Sequence, residues 1–192
     1  MTPHPHSWRP WTPREIADRF VGFTSPWCVV GGWALDLWHG RQTRPHEDLE
    51  IAIPRPRLAE ARHTLADFEF WTASNGALSK TPPTPEQHQN WVLDPIANVW
   101  RVDIFLEPGD DTTWIYRRDE SLRLPRAQTF ALTSDGIPYL RPELVFLFKA
   151  KAMRPKDELD FATALPRLDR LWLGELLARA HPNHPWLTST RA

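Results

Sequence analysis

The chain has 192 residues, enough to bury a sizeable core as one domain or as one domain with a helical extension. A net charge of −1 leaves no electrostatic footprint for nucleic acid, and a single cysteine, Cys28, excludes an internal disulfide. No apolar run is long enough to span a bilayer, and the opening MTPHPHSWRPW lacks the apolar stretch of a signal peptide, so no membrane partner is expected and the cytoplasm is the expected compartment.

Thr12-Pro13-Arg14-Glu15 has the form of a capping box with proline at the first helical position, predicting a helix to about Phe20. Trp27 to Val30 is a short apolar run with Cys28 as a small core filler. Gly31-Gly32 breaks that run, and Trp33, Ala34, Leu37 and Trp38 then recur at helical spacing until Gly40. The glycines therefore join a strand to a helix. Free N–H groups at a helix start favour an anion, and residues without a β-carbon let phosphate oxygens come close; a plain strand-to-helix turn is the alternative.

Leu49, Ile51 and Ile53 alternate with Asp48, Glu50 and Ala52, so a strand here turns the aliphatic residues inward and both acids to the other face. Like charges side by side repel unless a cation lies between them. Hard divalent ions such as Mg²⁺ take such oxygen ligands, whereas the bland alternative is a solvated strand edge. Further along, WRVDIFL places Asp103 opposite Val102, Ile104 and Leu106, and a lone acid amid such residues calls for a partner. If the two strands pair, three carboxylates converge.

Elsewhere, Pro54 to Ala66 reads as an amphipathic helix with Leu58, Ala61 and Leu65 inward. Three hairpins are predicted: Phe68–Ala73 with Gly76–Ser79, Trp91–Leu93 with Val99–Leu106, and Thr129 to Tyr139 turning at Ser134-Asp135-Gly136. Proline-rich Thr81 to Glu86 is a loop. From Pro142 the chain is helical, broken at Pro155 and Pro166, and ends in a polar, proline-rich tail. Arg41 and Arg44 lie on the loop before the acid strand, within reach of a phosphate. His46 shares a face with Asp48 and suits a supporting role. Lys149 and Lys151 either neutralise an anion or form a charged helix face. Of the tryptophans, Trp33, Trp71, Trp91 and Trp114 are candidates to line a pocket or stack on a base, with Trp33 favoured by its place beside the glycines.

The order Gly31-Gly32, Asp48-Leu49-Glu50 and a later strand Asp103 resembles the nucleotidyltransferase fold of the DNA polymerase beta superfamily, with its hG[GS], Dh[DE]h and third strand carboxylate. The string GGWALDLWHGRQTRPHEDLEIAI is similar to the aminoglycoside 2″-adenylyltransferase-like branch, with its GGWA-D-x-x-x-G-x-x-TR-x-HxD pattern. PYLRPELVFLFKAKAMRPKDELDF resembles that branch's C-terminal segment.

The resemblance implies an α+β fold, a mixed sheet flanked by helices, with a nucleotidyltransferase core over 1–140 and a helical segment over 141–192 packed on it. It implies that Gly31 and Gly32, with Trp33, Arg41, Arg44, Lys149 and Lys151, bind a nucleoside triphosphate, that Asp48 and Glu50 bind Mg²⁺, and that Asp103 is the third ligand or general base. AMP from ATP would pass to a hydroxyl of a small molecule, an aminoglycoside-like antibiotic among them. Glu107, Asp110 and Asp111 would either extend an acidic cleft for such a polycation or form a solvated turn. Two departures stand out: Glu50 where relatives more often carry Asp, and Phe105 where some carry a further acid. Alternative readings are an antitoxin-like protein adenylyltransferase and a non-catalytic nucleotide- or ligand-binding relative.

Overall fold

A computed structural model describes residues 4–190. Strands β1 (Cys28–Val29), β2 (Glu50–Pro54), β3 (Glu69–Ser74), β4 (Ala77–Ser79), β5 (Gln89–Asp94), β6 (Val99–Glu107), β9 (Phe130–Leu132) and β10 (Pro138–Leu140) form one mixed sheet in the order β4-β3-β5-β6-β2-β1-β10-β9; β7 (Thr113–Ile115) and β8 (Arg123–Pro125) form a separate two-stranded ribbon. Helices are α1 (Pro13–Arg19), α2 (Gly31–His39), α3 (Leu58–Thr64), α4 (Pro142–Lys149), α5 (Pro155–Ala164), α6 (Arg170–Ala180) and α7 (Trp186–Thr190). This is the expected α+β class.

The three predicted hairpins are present as β3–β4, β5–β6 and β9–β10. The Thr12 capping box is formed, with Thr12 Oγ1 accepting from Glu15 N–H and the Glu15 carboxylate accepting from Thr12 N–H. Three expectations change. Pro54 closes β2, and Arg55–Arg57 make a 3₁₀ turn, so α3 starts only at Leu58. The ribbon β7–β8 was not foreseen, since two three-residue strands carry too little alternation to register. The tail expected to be polar carries α7 instead, which buries Trp186 and Leu187 against Phe161 and Phe146.

Leu49, Ile51, Ile53, Val102, Ile104 and Leu106 are fully buried, as the period of two requires. Trp8, Trp71, Trp91 and Trp100 pack edge-on into a second apolar cluster, and Trp114 is buried with its indole N–H on Glu107, so Trp71, Trp91 and Trp114 build core. The segment before α1 is threaded along the start of β6: Arg9 N–H donates to Trp100 O, Trp11 N–H to Arg101 O, and Trp100 N–H to Ser7 O. No helix among the described residues is long and apolar enough to cross a membrane.

Candidate active site

β2 and β6 are parallel neighbours, and their register sets Glu50 directly beside Asp103. Asp48 precedes Glu50 by two and reaches the same face. A cavity of about 530 Å³ opens over this face, bordered by Asp48 and Glu50, by Gly31 and Gly32, and by Lys149 from α4. Asp103 is buried behind the lining: its Oδ2 accepts from Gln89 Nε2 at 2.6 Å, while Oδ1 has no partner. Among the described residues no three Asp, Glu, His or Cys side chains are gathered closely enough to hold a metal ion. The convergence on one ion expected from the sequence is thus a neighbouring pair plus Asp48, not a finished ligand set.

The electrostatics show what this costs. Burial, with Asp48 nearby, raises the Glu50 carboxyl to about 7, and burial with repulsion from Glu50 raises Asp103 to about 8. Both carboxyls therefore favour the protonated form unless a cation offsets their charge. Hard oxygen donors that resist ionisation together, with one buried oxygen orphaned, fit a divalent cation such as Mg²⁺, which would be held by Asp48 and Glu50.

The glycines serve a purpose the sequence did not disclose. Gly31 takes φ +63°, and a β-carbon on it would overlap Glu50 Oε2; one on Gly32 would sit 2.5 Å from His46 Cε1 and 2.6 Å from Arg44 Nη2. Protein side chains occupy the space that the missing β-carbons leave. Gly31 thereby leaves room for the Glu50 carboxylate. The start of α2 has no side-chain cap, so its N–H groups stay available at the cavity wall.

Behind this wall runs a chain of polar contacts. Buried Asp36, on α2, accepts from Thr43 N–H at 2.9 Å and bonds His46 Nε2; Arg44 Nη1 lies 3.0 Å from His46 Nδ1. The network assigns the Nε2–H tautomer to His46, because Arg44 can only donate and a carboxylate only accepts. Arg44 also grips Asp160 through Nε at 3.0 Å and Nη2 at 3.1 Å, Asp160 meets Lys149 at 3.1 Å, and Lys149 and Arg154 share Asp157. Burial opposes ionisation of Asp157, but the bonds from Arg154 and Lys149 prevail and hold it at about 2.

Four of the five Arg44 N–H donors are used within the protein, so Arg44 ties the α2–β2 loop to α5. Trp33 stacks on His46 with centroids 4.6 Å apart and donates Nε1–H to Asp48 O at 3.1 Å, supporting the acid strand from behind rather than bordering the cavity. Arg41 and Lys151 are exposed and border no part of it. Glu107 forms no open acidic cleft: it is buried, 2.7 Å from Arg126 and 2.8 Å from Trp114 Nε1. Asp110 caps its own turn, and Asp111 pairs with Arg57. Sequence reasoning missed Asp36, Gln89, Arg117, Arg118 and Arg154; the adjacent Arg117-Arg118 was the one visible signal.

Comparison with known proteins agrees with this geometry. Residues 14–82 match the sequence profile of the aminoglycoside-2″-adenylyltransferase family. No curated protein matches the chain. Among solved structures, it is similar to the antibiotic-resistance factor ANT(2″)-Ia in complex with adenylyl-2″-tobramycin (TM-score 0.58, 14% identity, covering 88% of this chain and 94% of that one). The solution structure of the same factor gives TM-score 0.56 at 14% identity over 86% and 87%. The lincomycin-bound lincosamide antibiotic adenylyltransferase LnuA gives TM-score 0.56 at 19% identity over 78% and 91%. The chain thus has the nucleotidyltransferase fold and, over residues 14–82, the signature of the aminoglycoside-2″-adenylyltransferase family.

Proposed function

We propose that this chain is a Mg²⁺-dependent nucleotidyltransferase that moves a nucleoside monophosphate, AMP from ATP, onto a hydroxyl of a small molecule in the cytoplasm. The observation that carries this reading is the direct register of Glu50 with Asp103 on parallel neighbours, under a cavity that Asp48 and the uncapped start of α2 also border. The antibiotic adenylyltransferases that share the fold make an antibiotic one class of acceptor to test.

Each residue has a defined task. Gly31 and Gly32 leave the α2 N–H groups clear for the triphosphate, with Lys149 on the far wall. Asp48 and Glu50 would hold Mg²⁺, which would supply charge neutralisation for the phosphoryl transfer. Asp103 takes the proton of the attacking hydroxyl at Oδ1, the oxygen left without a partner. Gln89 keeps the other oxygen fixed, so the free one has a set direction. Trp33 and His46 hold the main chain of the acid strand in place.

The test is incubation with ATP labelled at the α-phosphate, MgCl₂, a panel of hydroxyl-bearing small molecules including aminoglycosides and lincosamides, and a cell lysate. Transfer to a small molecule is expected, and Asp48→Asn abolishes it while leaving circular dichroism unchanged. Label on a protein instead would assign a protein acceptor, and undiminished transfer by Asp48→Asn would remove the metal assignment.

A further inference from the structure

Arg117 stands at the second position of the turn Tyr116–Asp119, closed by Asp119 N–H on Tyr116 O, at the tip of the β7–β8 ribbon. The ribbon carries it to the cavity wall facing the acids. It is half-buried, its guanidinium lies 4.8 Å from the Phe105 ring centroid and 5.4 Å from that of Phe148, and among the described residues it has no hydrogen-bond or ion-pair partner. Burial, then the neighbouring Arg118, lower its pKa against the pull of Asp103, Glu50 and Glu107, none of which bonds it. Most other cations lining the cavity differ: Arg118 donates to Phe148 O at 2.6 Å, and Arg44, Lys149 and Arg154 are paired with Asp157 or Asp160, while Lys156 is unpaired among the described residues but rests on no aromatic ring. Of the acids near it, Glu107 is taken by Arg126 and Asp103 accepts from Gln89, and none forms an ion pair with Arg117.

A planar guanidinium held between two aromatic rings, with its donors unsatisfied inside a cavity, is built to grip an oxyanion in two-pronged fashion. Resting on the nucleotidyltransferase reading, we propose that Arg117 anchors an oxyanion of the bound substrates, supplied either by a phosphoryl group of the nucleotide or by a carboxylate or phosphate on the acceptor. Phe105 and Phe148 orient the guanidinium and cover one face of whatever it holds.

Isothermal titration of the full chain and of Arg117→Met, which keeps the packing on both rings, with Mg·ATP, glucose 6-phosphate and glucuronate tests this. Removing one partner of a desolvated charge pair weakens binding by at least about thirty-fold. That loss for Mg·ATP alone identifies the nucleotide as the source; that loss for glucose 6-phosphate or glucuronate, with Mg·ATP within two-fold, identifies the acceptor. Arg117→Gln repeats the measurement should the Met variant fail to fold. Unchanged affinity for every probe, or a wild type that binds none of them, overturns the inference. Arg117-dependent binding without any AMP transfer would retain it while removing the proposed activity.

Discussion

Replacing Asp103 by Asn tests whether the two neighbouring carboxyls are under the strain that a cation relieves. Asp103 is raised from 3.8 to about 8 by burial and by Glu50. The folded protein therefore keeps a proton that the unfolded chain has released. The stability tied to this group is complete below pH 3.8 and is lost as pH climbs through about 8. Full ionisation would cost up to ~6 kcal/mol; since Glu50 shares the repulsion and can hold the proton instead, half or less, roughly 2–3 kcal/mol, is the working figure. The amide has the same shape, can still meet Gln89 and carries no charge. Relative to wild type, Asp103→Asn should gain ~2–3 kcal/mol between about pH 5 and about pH 9, or roughly 5–10 °C in Tm for a chain of this size. Melts across that range, with and without MgCl₂, provide the readout: magnesium should raise the wild type at the alkaline end far more than the variant. A difference that stays constant with pH would refute the coupled-carboxyl reasoning.

Gly31→Ala meets both a positive φ and the Glu50 carboxylate, so a loss of at least ~2 kcal/mol in urea denaturation is expected; adding Glu50→Asp should restore the part due to overlap and leave the ~1 kcal/mol due to backbone strain. Asp160→Ala strands the mostly buried Arg44, while Lys149 keeps Asp157, and should cost about 3 kcal/mol, whereas Asp18→Ala, on an exposed pair, should change the same measurement by under about 1 kcal/mol. Mg²⁺ binding should expel protons from Glu50 and Asp103, so calorimetry in two buffers of different ionisation heat should show proton release near pH 7 that shrinks above about 8, with affinity rising over the same range.

What the sequence disclosed was local and periodic. The alternation of Leu49, Ile51 and Ile53 against Asp48 and Glu50, and the break at Gly31-Gly32, report on backbone geometry within a few residues, and both features stand in the structure. The pairing of β2 with β6 was an inference from chemical need, and the register meets it. Hidden were the contacts between segments distant in the chain. Asp36 reads as an ordinary polar position on α2 until His46 folds back onto it, and Lys149 and Asp160 read as a helix's charged face until Arg44 arrives from 116 residues away. Arg117 had no periodic context at all, because a turn between two three-residue strands carries it into place. The phosphate rationale for the glycines was incomplete for a related reason: the nearest oxygen to Gly31 is on Glu50, and only the fold shows that neighbourhood.

The stretch from Ser7 to Trp11 lends its main chain to Trp100 and Arg101, three and two positions ahead of Asp103. Trimming a shortened variant back to α1 would expose the edge of β6 immediately upstream of Asp103, inviting strand-to-strand aggregation as well as a displaced Asp103. Expression vectors for this protein should therefore keep that leading segment intact and carry any affinity handle at the opposite terminus.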